Sequence, residues 1–375
     1  MKPRVLFVSR ERFRLPHEGT QLLKWDAVGA VVDHRVVAAA APGAPLRDAR
    51  FRLWPLVRPR LVDGPLFYLA LPARVASALR EFEPDVVVVQ GVHEAAAVLA
   101  ARRIVRSRAR IILDVQGDWH AATRLYGSRA RRLLNPLSDA IGASVVHRVD
   151  GIRTLSGFTS GVVRAAGAEP VAEFPPFVDA AAFLAPPVQP LPAVPAALFV
   201  GVLERYKGFD TLAAAWPQVT ARVPGAELHV VGRGTLAPLA QELVRGGARW
   251  TESLDAAGIS RAMDAATLLC LPSRAEGLGR VVLEAMCRAR SVVGGRAGGI
   301  RDLVTEGVNG LLVDPDDPRE LADALVAVLG DPGTAGRLGE GARRTGEEWS
   351  VTPEQYAGRL ESLVRHVLGG SARGL

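Results

Sequence analysis

Two glutamates eight residues apart, Glu276 and Glu284, flank a turn, Gly277-Leu278-Gly279, that is almost bare of side chains. The turn follows a short apolar run, Thr267 to Leu271, and opens an apolar helix. A bare turn at a helix start presents free backbone N–H groups and the positive end of the helix dipole, and both favour an anionic phosphate. Glu284 sits among Val281, Val282, Leu283, Ala285, Met286 and Cys287, where a carboxylate is costly unless it is bonded. The hydroxyls of a ribose or a hexose would satisfy both acids. The simpler alternative is a solvated loop acid and a paired core acid.

Other residues offer further chemistry. Arg205 and Lys207 lie between a strand and a helix, where two cations can hold a diphosphate or simply be solvated. Gln116-Gly117-Asp118-Trp119 follows the strand Arg110–Val115, and open α/β sheets bind ligands at such strand ends. Asp118 is the ionisable group there; its alternative role is a helix N-cap. Gly232-x-Gly234-x-x-Ala237, with Glu252 beyond it, fits a loose dinucleotide fingerprint and keeps a nicotinamide-dependent oxidoreductase in view. Asp314-Pro315-Asp316-Asp317 has Asp-x-Asp spacing, yet its place ahead of Pro318 reads as a helix cap rather than a cation site. Cys270 and Cys287 fall in apolar segments and read as core thiols in a reducing cytoplasm, and the seven histidines show no metal-ligand spacing. No metal site is expected.

The elements that must position these residues alternate strand and helix over a length that suits two domains. Strands are predicted at Arg4–Ser9, His34–Ala40, Asp85–Gln90, Arg110–Val115 and Asp150–Leu155, with helices starting near Thr20 and at His93. Seven prolines between Phe174 and Pro195 predict a linker. Beyond it, strands are predicted at Ala197–Val202, Glu227–Val231, Arg249–Glu252, Thr267–Leu271, Ser291–Gly294 and Asn309–Val313, with helices at Lys207–Val219 and Pro318–Leu329. Trp349–Leu368 ends the fold and Gly369–Leu375 is a frayed tail. Phe51–Val75 mixes aromatics, leucines and arginines, as an acceptor-site loop packed by its own residues or as a membrane-interface segment.

Charge is uneven. Residues 1–185 hold 26 Lys and Arg against 17 Asp and Glu, whereas the remainder holds 20 against 22. The basic half suggests an anionic partner, a membrane surface, nucleic acid or an acidic acceptor, or else only the arginine content of a GC-rich genome; Arg124, Arg129, Arg131 and Arg132 form a face that is either solvated or meets anionic lipid. A nucleic-acid partner lacks its aromatic patch or known motif. No uncharged apolar run is long enough to span a bilayer, and MKPRVLFVSR reads as a first strand rather than a signal peptide.

Glu276-x7-Glu284 with its Gly-Leu-Gly turn resembles the retaining glycosyltransferases of family four, strongly through the C-terminal half and more weakly before it. The resemblance implies an α/β GT-B fold: two Rossmann-like domains facing a central cleft, the last helix crossing back to the first. The implied boundaries are 1–178, a linker 179–196, 197–348, and a crossover helix and tail 349–375. It implies a nucleoside-diphosphate sugar as donor substrate, no cofactor or metal, and a lipid, glycan or small-molecule acceptor, in the cytoplasm or at the inner membrane face. Glu276, Lys207, Arg205 and Asp118 would act on the reacting groups. Gly19, Gly201, Gly232, Leu254, Gly277, Leu278, Gly279 and Glu284 would hold the donor, with Gln116 and His93 on the acceptor side. Val202 stands where the family has arginine, with Arg205 as its substitute, and Gln116 stands where the family often has histidine. A sugar-nucleotide epimerase of the same fold and a non-enzymatic member remain alternatives.

Overall fold

The computed structural model describes residues 1–58, 60–120 and 135–369; the arginines at 124, 129, 131 and 132 and the tail 370–375 lie outside them. The chain forms two compact units, residues 1–177 with 351–375, and residues 178–350.

In the first unit, β-branched runs such as Val86–Val89 make buried strands at the centre of the sheet. The strands are β1 (Arg4–Phe13), β2 (Asp33–Ala40), β3 (Phe51–Trp54), β4 (Val86–Gln90), β5 (Arg110–Val115), β6 (Gly151–Thr154) and β7 (Ala172–Glu173). They form one parallel sheet in the order β3-β2-β1-β4-β5-β6-β7. Helices α1 (Gly19–Val31), α2 (Arg60–Phe82), α3 (Val92–Val105), α4 (Asn135–Val146) and α5 (Gly157–Ala165) connect them. One face of the sheet packs on α2, α3 and α4; the other packs on α1 and on the last helix, Pro353–Val367. The order reverses between β1 and β4, which places a ligand crevice at their carboxyl ends.

Phe51–Val75 is not a loop. It holds β3 and most of α2, a helix that contains Pro65 and Pro72. Both prolines argue against a helix. Burial of Phe67, Leu71, Val75, Leu79 and Phe82 along one side outweighs them.

The second unit repeats the plan with β8 (Ala196–Val200), β9 (Glu227–Val231), β10 (Arg249–Thr251), β11 (Leu268–Leu271), β12 (Ser291–Gly295) and β13 (Gly310–Val313). Its parallel order is β10-β9-β8-β11-β12-β13, so the switch falls between β8 and β11. The helices are α6 (Ala181–Leu184), α7 (Phe209–Arg222), α8 (Ala237–Arg245), α9 (Ala256–Asp264), α10 (Arg280–Cys287), α11 (Ile300–Leu303), α12 (Pro318–Leu329) and α13 (Pro332–Trp349). The last helix, now α14, is separate from α13 and starts with a Thr352/Gln355 capping box.

The proline-rich stretch expected as a linker belongs to this second unit. Proline offers carbonyls but no N–H. Two buried guanidiniums supply the missing donors: Arg288 bonds the carbonyls of Phe183, Pro186 and Pro187, and Arg290 those of Gln189 and Pro190. Arg290 also bonds the Met263 and Asp264 carbonyls. Arg290→Met orphans these acceptors and is expected to lower the unfolding free energy by about 3 kcal/mol, read from urea denaturation.

Candidate functional site

In the second unit the loops after β8 and β11, residues 201–208 and 272–279, meet at the topological switch. Gly208 makes the meeting possible. Its φ is +68°, and a Cβ there would stand 1.9 Å from the Pro272 carbonyl oxygen. Arg274 ties the loops together: its N–H donates to the Tyr206 carbonyl at 2.8 Å. Its guanidinium bonds Asp210 at 2.7 Å and Asp316 at 2.6 Å. Gly208→Ala is expected to destabilise the unit by about 2–3 kcal/mol, checked by urea unfolding, because the residue must keep a left-handed conformation against Pro272.

The result is that Lys207 and Glu276 touch, the Lys207 Nζ donating to Glu276 Oε1. The buried Ser273 hydroxyl donates to the same oxygen at 3.0 Å. A third loop, after β12, holds the backbone of Glu276: the Gly299 N–H donates to its carbonyl at 3.0 Å. Gly298, at φ +60°, approaches so closely that a Cβ would lie 2.2 Å from that carbonyl oxygen. Glu276 is thus fixed by loops from three neighbouring strands.

Gly279 caps α10 in the left-handed region, and no side chain makes a capping hydrogen bond there. Among the described residues the N–H groups of Leu278 and Gly279 donate to no backbone acceptor. They remain available to an anion, although Leu278 itself is buried. Just over one turn into α10, Glu284 is buried and accepts from Arg280 Nε at 3.0 Å. Burial raises its pKa, and the Arg280 guanidinium opposes that rise. An open pocket of about 640 Å³ collects these groups. Of the residues expected to hold the donor, Gly201, Gly232, Leu254, Gly279 and Glu284 line it, as do Lys207 and Glu276 of those expected to act on the reacting groups. Gly277 lies in the same turn, its carbonyl against Gly299.

Arg205 does not join Lys207. Residues 205–207 form one 3-10 turn, which aims side chains two positions apart in different directions. The Arg205 guanidinium is exposed and lies 3.4 Å from Asp210. The cation that the sequence reading missed is Arg280; its i,i+4 spacing to Glu284 was the available signal. Ser273 carried no such signal.

The dinucleotide fingerprint has another use. Glu204 accepts from the Thr235 N–H at 2.9 Å and from its hydroxyl at 2.6 Å, so a carboxylate occupies the turn where a pyrophosphate would lie. Glu252 is paired with Arg233 at 3.0 Å. The turn forms one wall of the pocket. The aspartates at 314–317 are structural: Asp317 caps α12, and Asp316 holds Arg274.

In the first unit a pocket of about 250 Å³ at the ends of β4 and β5 brings together His93, Gln116 and Asp118. Asp118 acts as a cap, accepting from the His120 N–H at 2.8 Å and lying 2.9 Å from its ring Nδ1. His93 Nε2 is 2.9 Å from the Ser138 hydroxyl. Gln116 donates to Asp114 at 2.6 Å, and Asp114 is paired at 2.8 Å with Arg153; both ions are buried. That bond engages the Gln116 amide nitrogen, and its carbonyl oxygen has no hydrogen-bond partner among the described residues. Glu94, buried on the first turn of α3, accepts from the Tyr68 hydroxyl at 2.8 Å; burial raises its pKa and that bond opposes the rise. Gly19 opens α1 with φ +52° and is exposed.

Residues 28–182 match the family model for Glycosyltransferase Family 4, and residues 194–331 that for Glycosyl transferases group 1. The D-inositol 3-phosphate glycosyltransferase of Kribbella flavida is 33% identical over 172 residues, 42% of this chain and 41% of that protein. The phosphatidyl-myo-inositol mannosyltransferase of Mycolicibacterium smegmatis is 33% identical over 203 residues, 51% of this chain and 52% of that protein. The chain thus spans about half the length of these curated relatives, or less. Sucrose-phosphate synthase from Thermosynechococcus elongatus shares the fold with a TM-score of 0.78 at 20% identity, over 99% of this chain and 100% of that one. Anabaena HepE in complex with UDP does so with a TM-score of 0.69 at 17% identity, over 98% and 100%.

Proposed function

The chain belongs to glycosyltransferase family 4 and has the GT-B fold, and from that premise we propose that it moves a hexose from a nucleoside-diphosphate sugar to an acceptor hydroxyl with retained anomeric configuration. The observation that carries this reading is the Lys207–Glu276 contact beside the uncapped start of α10, in one pocket with Glu284. In the proposed reaction the bond from the anomeric carbon to the diphosphate breaks and a bond to the acceptor oxygen forms. The acceptor proton passes to the departing phosphate oxygen. Lys207 and the N–H groups of Leu278 and Gly279 hold the charge that develops on the diphosphate. Glu284 accepts from ribose hydroxyls, and Glu276 orients the sugar. These groups supply the electrostatics without a metal or a separate cofactor, so transfer is expected to persist in EDTA.

The acceptor, a lipid, glycan or small molecule, is assigned to the first unit, where the Gln116 carbonyl oxygen can receive its hydroxyl. The proposed location is the cytoplasm, at the inner membrane face when the acceptor is a lipid. Among the described residues no helix is long and apolar enough to cross a membrane.

Calorimetric titration with UDP, GDP, ADP, dTDP and NADH tests the reading. One nucleoside diphosphate is expected to bind and NADH is not. Binding of NADH alone would overturn the proposal in favour of an oxidoreductase. Sugar-nucleotide turnover in the absence of any acceptor would favour the epimerase.

A further inference from the structure

Helices α2, α3 and α4 cover one face of the first sheet with their inner sides. Their outer sides carry an unusual combination. Five large apolar side chains are exposed there: Val62, Leu66 and Leu69 on α2, Ile104 on α3 and Leu137 on α4. Leu69 is 79% exposed, Ile104 66% and Leu137 61%. On α2 the three residues follow helical spacing, and the exposed Pro65 and Ala73 extend them into one stripe.

Between α3 and α4 runs an open groove of about 900 Å³. Leu99, Ile141 and Val145 line it together with Arg102, Arg103, Arg106 and Arg148. Arg102 is paired with Asp150 at 2.9 Å. Among the described residues Arg103, Arg106 and Arg148 have no carboxylate within ion-pair distance. A second groove shares Arg106 and adds Arg80 and Arg108, together with Arg110, which is paired with Asp150 at 2.8 Å. Its two acids are engaged elsewhere, Asp85 with the Arg4 N–H and Glu83 with the Arg4 side chain.

Apolar side chains and uncompensated cations on one face match the two components of an anionic bilayer, acyl boundary and phosphate headgroups. A nucleic acid fits less well, because no aromatic residue lines either groove and bases would find no stacking platform. We propose that the outer face of α2, α3 and α4 docks on an anionic phospholipid membrane. The α2 stripe enters the headgroup region and the arginine groove holds lipid phosphates. This surface shares no residue with the donor pocket, so membrane docking and nucleotide binding stand or fall separately.

The test is co-sedimentation of the full chain with phosphatidylcholine vesicles containing about one-third phosphatidylglycerol, against pure phosphatidylcholine. Binding is expected only to the anionic vesicles, and it should weaken as salt is raised. Two variants probe the halves of the surface: Leu66→Ser with Leu69→Ser, and Arg103→Glu with Arg106→Glu and Arg148→Glu. Each is expected to weaken binding by at least about tenfold, with unchanged circular dichroism and melting temperature. All substituted residues are exposed, Leu66, Leu69 and Arg103 on their helices and Arg106 and Arg148 just past the ends of α3 and α4, and nucleoside-diphosphate affinity serves as the control for a native second unit. Absent binding, equal binding to neutral vesicles, or full binding by either variant would overturn the proposal. So would a duplex DNA that binds through the same arginines and outcompetes the vesicles.

Discussion

Lys207→Ala is expected to lower kcat for sugar transfer by about two to three orders of magnitude, the scale seen when one preorganised donor to a developing oxyanion is removed. Lys207 is the basic side chain whose ammonium group reaches the Glu276 carboxylate in the proposed donor pocket. Arg205 cannot replace it, since its side chain leaves the 3-10 turn toward Asp210. Arg280 lies in the same pocket but is held by Glu284. Without Lys207, the leaving diphosphate keeps only the N–H groups at the start of α10. The contact with Glu276 is confined to a loop, so melting temperature should change by only a few degrees. A well-folded Lys207→Ala enzyme at full rate would sink the clamp role. Lys207→Arg retains charge but not the compact ammonium geometry, and partial recovery is expected.

Glu284→Gln is expected to weaken nucleoside-diphosphate binding by about ten- to hundredfold, measured by calorimetry, because hydrogen bonds to an ionised acceptor are among the stronger ones. The pH dependence gives a sharper form of this expectation. Burial holds the Glu284 pKa above the ordinary carboxylate range, and Arg280 only partly restores it. In the proposed donor site, ribose hydroxyls would donate to the ionised form. Nucleotide affinity should therefore fall as pH is lowered through the raised pKa, and Glu284→Gln should abolish that dependence. Stability runs in the opposite sense. The native state holds the Glu284 proton more tightly than the unfolded chain does. Its contribution to stability is then greatest below the unfolded pKa and is lost as pH rises through the folded value. A nucleotide affinity that is flat with pH in the unmodified protein would remove Glu284 from the ribose site.

Local chemistry made much of this legible in the sequence. The buried strands were visible as β-branched runs, because a strand covered on both faces has no polar side to interrupt it. The GLG turn, Lys207 and Glu284 were visible because bare turns, isolated cations and buried acids each carry a marked free-energy signature. The long α2 was not visible. Pro65 and Pro72 oppose a helix locally, and only burial against the sheet decides in its favour. The packing of the proline-rich stretch onto the second unit was not visible for the same kind of reason: the donors for its carbonyls, Arg288 and Arg290, lie about one hundred residues away in the chain. What the sequence by itself determined was the alternation of strand and helix and the types of residue available for phosphate and sugar contacts. Which of them meet was decided by tertiary structure. The β8/β11 switch sets Lys207 on Glu276, and the turn after β8 sends Arg205 outward to Asp210. Those two outcomes depend on directions in space that linear spacing does not encode, whereas the Arg280–Glu284 contact was already present in its i,i+4 spacing.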